Sequence, residues 1–165
     1  MLTQTAPHFQ GVDFTRSYVQ AAQDNIASKK ASSFVKVQYG SVYDLDLLKL
    51  LTPPSKFDAV YFSGSISLLP DAVKAIETVS KVLKKGGKIY ITQTYQKRNV
   101  MGLATFKRNL KYLTTIDFGS LVFEADIIKA YSQFDILEHK PIAKSVDNYF
   151  QTAYLTIIKN NSKNS

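Results

Sequence analysis

The chain has 165 residues, 45% hydrophobic and 12% aromatic, with 21 Lys and Arg against 13 Asp and Glu and a formal charge of +8. That length and composition fit one globular domain with a hydrophobic core, read as residues 1–159 followed by a disordered polar tail 160–165. The absence of cysteine excludes disulfides, a thiolate nucleophile and Cys-ligated zinc or iron–sulfur centres, and His8 and His139 are too far apart in sequence to suggest a metal site.

In chain order, Phe9 to Phe14 reads as a short strand ending on an acid, and Thr15 as the cap of a helix running to about Ser28, with Tyr18, Val19, Ala22 and Ile26 on one face. Ser33 to Tyr39 alternates and is β-branched, which predicts a second strand. Tyr43 to Leu51 reads as a short helix broken by Thr52-Pro53-Pro54-Ser55. Phe57 to Phe62 is a nearly unbroken apolar run, the form of a strand buried on both faces. A helix follows from Pro70 or Asp71, with Val73, Ile76, Val79 and Leu83 facing inward, lysines in its last turn and Gly86-Gly87 as its stop. Lys88 to Thr94 is the next strand.

Beyond it, Asn99 to Leu113 reads as a basic amphipathic helix and Glu124 to Gln133 as another helix. Phe134 to Ile142 and Tyr149 to Lys159 read as strands whose short connection, Ala143 to Asn148, forces an antiparallel pair. The β-α alternation before them argues for a parallel α/β sheet that ends in a hairpin.

The charge is uneven. No acid lies between Glu77 and Asp117, whereas Lys81, Lys84, Lys85, Lys88, Lys97, Arg98, Lys107, Arg108 and Lys111 all do. Such a run is commonly a solvated face; its functional alternative is a surface for an acidic substrate, a nucleic acid or an anionic lipid. The longest apolar runs fall far short of the roughly 20 residues of a membrane-spanning helix. The start MLTQTAPHFQ lacks the basic and apolar regions of a secretory signal, so the cytoplasm is the expected compartment.

Three stretches carry a resemblance. They are Gly11-Val12-Asp13-Phe14-Thr15 with the helix after it, Val37-Gln38-Tyr39-Gly40-Ser41-Val42, and Phe57-Asp58-Ala59-Val60 continued by Ser67-Leu68-Leu69-Pro70-Asp71 and Val82-Leu83-Lys84-Lys85-Gly86-Gly87-Lys88-Ile89. With the terminal hairpin they resemble strands two to five and the closing hairpin of the class I S-adenosylmethionine-dependent methyltransferases, a Rossmann-like fold. The resemblance implies S-adenosylmethionine as cofactor and methyl transfer, most simply to a small-molecule acceptor. It also assigns residues. Asp13 would accept hydrogen bonds from the ribose hydroxyls, and Phe14 would face the adenosine. Ser41 stands near the adenine amine where the family usually has Asp, and Val42 would offer its backbone N–H to the ring. Phe62, Ser63 and Gly64 would lie where the methionyl end meets the substrate. Substrate groups would come from Gln93, Tyr95 and Gln96 and the basic helix beyond them. Tyr95 could orient or deprotonate a substrate, although a surface tyrosine is the plainer reading. His139 reads as structural, no catalytic residue is assigned, and no metal is implied.

The family's Gly-x-Gly-x-Gly-like loop, which ends its first strand, is not spelled by any of the glycines, Gly11, Gly40, Gly64, Gly86, Gly87, Gly102 and Gly119. In the order 3-2-1-4-5-7-6 that strand is central, and a strand, loop and helix would take about 30 more residues. Unmet backbone groups cost about 1–3 kcal/mol each when buried, against a domain stability of about 5–15 kcal/mol. Three expectations follow: the chain is a truncated piece or misassigned start of a longer methyltransferase, strands two and four pair directly, or another chain fills the gap. After the fourth strand stands Phe62-Ser63-Gly64-Ser65 instead of the Asn/Asp-Pro-Pro-Tyr run of base and glutamine methylation. The alternative from another class is a non-catalytic methyltransferase-like module that binds protein or nucleic acid through Lys81–Lys111.

Overall fold

The computed structural model describes residues 8–44, 56–97 and 123–161. Its backbone clusters into two units, Met1–Ser55 and Lys56–Ser165.

In the first unit, strand β1 (Phe9–Asp13) lies parallel to β2 (Val35–Tyr39), with Gly11 opposite Val37 and Asp13 opposite Tyr39. Helix α1 (Arg16–Ser28) connects them and buries Val19. Thr15 is the N-cap by position, but its side chain makes no cap bond. Instead its backbone N–H donates to Asp13 Oδ1 at 2.7 Å. Of the short helix expected over residues 43–51, a single 3-10 turn, Val42–Asp44, is seen; residues 45–51 and the Pro53-Pro54 break lie outside the described residues.

The second unit holds β3 (Phe57–Ser63), α2 (Ala72–Val82), β4 (Leu83–Gln96), α3 (Glu124–Tyr131), β5 (Asp135–Pro141) and β6 (Gln151–Lys159). The sheet order is β3-β4-β6-β5, with β3 parallel to β4 and β6 antiparallel to both neighbours. This is the expected terminal hairpin, and the order is that of the family's strands four, five, seven and six. Among the described residues β1 has the one strand neighbour β2, and β3 the one strand neighbour β4.

Apolar side chains on one face of the second sheet set its core. Ile89 pairs with Ile158, and Ile91 with Thr156 and Phe62, all buried. Helix α2 supplies the buried Ala75, Ile76 and Val79, whose i, i+1, i+4 spacing forms one stripe. Ile76 and Val79 each contribute about 1.5–3 kcal/mol when fully buried. Asp71 starts the helix by accepting from the Lys74 N–H at 2.9 Å.

Three expectations are corrected here. The β3 run is not buried on both faces: Phe62 is buried and Val60 half-buried, while Asp58, Ala59, Tyr61 and Ser63 are exposed. Gly86-Gly87 is not the stop of α2, which ends at Val82 as Leu83 turns extended. The glycines sit within β4, where Gly86 has φ +78° and a Cβ on Gly87 would lie 2.9 Å from the Lys84 carbonyl oxygen and 3.0 Å from that of Asp58. Asn160, the first residue of the stretch read as a tail, is 3% exposed and donates to the carbonyls of Ser80, Leu83 and Lys84.

Among the described residues the basic window is spread along β4. Lys84, Lys85 and Lys88 are exposed near the amino end of β4, where Lys84 pairs with Asp58 at 2.6 Å. Lys97 lies just past its carboxyl end, about 30 Å of extended strand from Lys88, and pairs with Asp147 at 2.6 Å. The helix read over Asn99 to Leu113 lies outside the described residues.

Candidate functional site

The carboxyl edge of the first unit is built from two parallel strand ends. Asp13 closes β1 and is half-buried, and its carbonyl accepts from the Gly40 N–H at 3.0 Å, which sets Ser41 and Val42 beside it. Asp13 Oδ1 is used by the Thr15 N–H, and Oδ2 shows no partner among the described residues. Phe14, at the mouth of the strand-to-helix turn, is 61% exposed. Ser41 Oγ accepts from the Tyr43 N–H at 3.1 Å, and the Arg16 guanidinium lies 4.0 Å over the Tyr39 ring. The structure therefore brings Asp13, Phe14, Ser41 and Val42 to one edge, where the Phe14 ring is exposed.

In the second unit the corresponding edge is formed by the ends of β3 and β4. Ser63 is paired with Thr92 and exposed, and Gly64, at φ +64°, donates its N–H to the Thr92 carbonyl at 2.8 Å. Phe62 points into the core and is 7% exposed, so its side chain offers no cofactor surface. Gln93 and Gln96 each bury a side-chain oxygen that has no hydrogen-bond partner among the described residues. The second Gln96 amide atom reaches Gln151 at 3.5 Å. A buried acceptor without a partner is costly; by strand alternation Gln93 and Gln96 lie on opposite faces of β4.

Tyr95 is not a surface tyrosine. It is 2% exposed, its ring centroid 5.5 Å from that of Tyr154 and 6.0 Å from that of His139. Burial pushes its phenol up to about 12, against the pull of a hydrogen bond from Thr156; Glu124 and Tyr154 add to the rise. His139 Nδ1 lies 2.8 Å from Thr156 Oγ1 and Nε2 lies 3.2 Å from Glu124 Oε1, while its ring stacks on Tyr154 at 4.7 Å. These contacts tie β5, β6 and the first turn of α3 together, so Tyr95 acts as part of the packing behind the edge and does not face it.

One hydroxyl group escaped the sequence reading. Tyr61 is 59% exposed, and its phenol oxygen lies 2.9 Å from Thr92 Oγ1. The neighbouring Ser63 hydroxyl, with the Thr92 bond, holds its acidity above that of a free tyrosine. The available signal was the Tyr-x-Ser spacing, which places both hydroxyls on one face of a strand.

A methyltransferase domain family model matches residues 2–154. The demethylmenaquinone methyltransferase of Desulfitobacterium hafniense (strain Y51) is 27% identical over 79 residues, which is 48% of this chain and 29% of the relative's length. Among solved structures, the cyclase SpnF superposes with a TM-score of 0.70 at 15% identity, covering 95% of this chain and 67% of that one. The geranyl diphosphate C-methyltransferase of Streptomyces coelicolor A3(2), solved with S-adenosyl-L-homocysteine, gives 0.67 at 10% identity, covering 93% and 63%. At these identities the superpositions show the fold, and the family model covers most of the chain. The chain belongs to the methyltransferase domain family.

Proposed function

We propose that this domain binds S-adenosylmethionine and serves methyl transfer to a small-molecule acceptor in the cytoplasm. The observation that carries the reading is the carboxyl edge of the first unit, where Asp13 keeps Oδ2 available beside the exposed Phe14 ring. Bound cofactor would supply a methyl group on a sulfonium, ready for in-line displacement. Asp13 Oδ2 would hold the ribose hydroxyls, Phe14 the apolar face of the adenosine, Ser41 Oγ the adenine amine and the Val42 N–H a ring nitrogen. Ser63 and the Gly64 backbone are assigned the methionyl end, and Phe62 helps only by anchoring them to the core. The orphaned oxygen of Gln93 or that of Gln96, on opposite faces of β4, would accept a hydrogen bond from the methyl acceptor, and Tyr95 would position the strand that carries them.

The fold does not choose the acceptor, since a cyclase and a geranyl diphosphate C-methyltransferase share it. The glycine loop that the resemblance leads one to expect is not spelled by these residues, so cofactor binding is the property to test first. Titration calorimetry with S-adenosylmethionine tests the assignment. Micromolar binding is expected, weakened on the order of tenfold to hundredfold in Asp13→Ala, the loss expected for charge-assisted hydrogen bonds of about 1.5–3 kcal/mol. Binding that Asp13→Ala leaves unchanged refutes the ribose role, and the absence of binding refutes the function.

A further inference from the structure

We propose that Tyr61 is the group that receives the proton of the methyl acceptor, and that the acceptor is therefore nucleophilic through an O–H. The inference rests on the methyl-transfer reading above. Its basis is a cluster of three hydroxyls at the carboxyl ends of two paired strands. Tyr61 and Ser63 share one face of β3, and Thr92 stands opposite Ser63 on β4. The Tyr61 oxygen is 2.9 Å from Thr92 Oγ1, and the Ser63 hydroxyl on the same strand face also favours its phenolate.

Hydroxyls can donate or accept, so two of them beside one phenol oxygen serve the anion best, donating both protons to it. Those two hydroxyls strengthen the acidity of Tyr61, with Ser63 the larger cause and Thr92 the second. Across the ladder from Tyr61 on β4 stands Tyr90, and the nearest acid on its own strand, Asp58, is paired with Lys84. The phenol stays open to water, 59% exposed, so a proton it takes can leave again. A group that only braced the strand would need none of this exposure.

The step balances without a further reactant. The Tyr61 phenolate oxygen takes the proton of the acceptor hydroxyl. The electron pair left on the acceptor oxygen forms its bond to the methyl carbon, while the carbon–sulfur bond breaks onto sulfur and neutralises the sulfonium. The phenol then returns the proton to water. A weakly acidic acceptor hydroxyl needs such a base, whereas a thiolate or an amine already unprotonated would not.

The first test uses the full chain without cofactor. Tyrosinate absorbance against pH, taken as wild type minus Tyr61→Phe, is expected to show one phenol ionising below the free value of 10.0. The same difference taken in a Ser63→Ala/Thr92→Val background should move back up to that value. A difference curve at or above it in the wild-type background overturns the proposal. The second test uses S-adenosylmethionine with phenol and catechol as probe acceptors. Tyr61→Phe is expected to bind cofactor as the wild type does, to transfer methyl at least tenfold more slowly and to lose the rise of rate with pH. Equal rates and pH profiles in the two proteins overturn the proposal, and so does cofactor binding with transfer to neither probe. Failure of every form to bind S-adenosylmethionine defeats the methyl-transfer reading itself, and the proposal falls with it, an outcome distinct from the other two.

Discussion

Tyr61 and Tyr95 belong to neighbouring strands of one sheet, each hydrogen-bonded to a threonine, and their acidities move in opposite directions. Tyr61 bonds Thr92 beside the Ser63 hydroxyl in reach of water, and its phenol is made more acidic. Tyr95 bonds Thr156 in the core, where burial outweighs the bond and pushes the phenol up to about 12. A hydroxyl partner favours the phenolate in both places, so the difference comes from desolvation. The charged form loses far more by leaving water than one neutral donor returns. The contrast assigns Tyr61 to chemistry and Tyr95 to support.

The largest effect that would break this assignment is on Tyr95. Tyr95→Ala removes a ring packed between His139 and Tyr154 and should cost about 3–5 kcal/mol in urea unfolding, the range of large aromatic truncations in cores. A loss below about 1 kcal/mol would mean that the ring is not part of the core.

Next comes the alkaline limb of stability. Tyr95 ionises near 10 when unfolded and near 12 when folded, so at alkaline pH the unfolded state releases its proton first. Its contribution is complete below pH 10 and is lost as pH rises from 10 to about 12, a fall of about 3 kcal/mol for two units. Burial raises Tyr131 as well, so that residue adds to the same fall at higher pH. Tyr95→Phe should flatten the limb between pH 10 and 12. An unchanged limb in that variant would place the Tyr95 phenol in contact with water after all.

Much of this was legible in sequence. Alternation in Ile89, Ile91, Gln93 and Tyr95 already puts these residues on one face of a strand, and the short link before Gln151 forces the hairpin. What the pattern hides is which face is covered. The run Phe57 to Phe62 has apolar residues on both faces, and the folded chain buries Phe62, half-buries Val60 and leaves Tyr61 exposed. Tyr95 looked like a surface group because tyrosine is amphipathic and lies near a strand end, yet its neighbours Tyr154, His139 and Glu124 come from residues far along the chain. The acid ending β1 was legible at Asp13, but the cap was read at Thr15, whose side chain makes no cap bond; the Thr15 N–H donates to Asp13 Oδ1 instead.

Asn160 tests how firmly the covered side is closed. One amide there donates to the carbonyls of Ser80, Leu83 and Lys84, joining the end of α2 and the start of β4 to the residue after β6. Asn160→Ala leaves those carbonyls with fewer donors in a buried place and should cost about 1–3 kcal/mol by thermal or urea unfolding. A neutral result would show that water replaces the amide and that this corner is open.

The smallest expected effect is the most informative about Tyr61. Tyr61→Phe keeps the ring and removes only the oxygen shared by Ser63 and Thr92, two hydroxyls near solvent at an exposed strand end. Each can bond water instead, so the urea midpoint should move by no more than about 0.5 kcal/mol, as for surface substitutions away from packing features. If the loss instead exceeds about 1 kcal/mol, the three hydroxyls brace the β3–β4 pairing, and the acidity of Tyr61 is a by-product of that bracing. A near-neutral result leaves an exposed, acidified phenol that stability does not need, which is the condition for assigning it to a proton in transit.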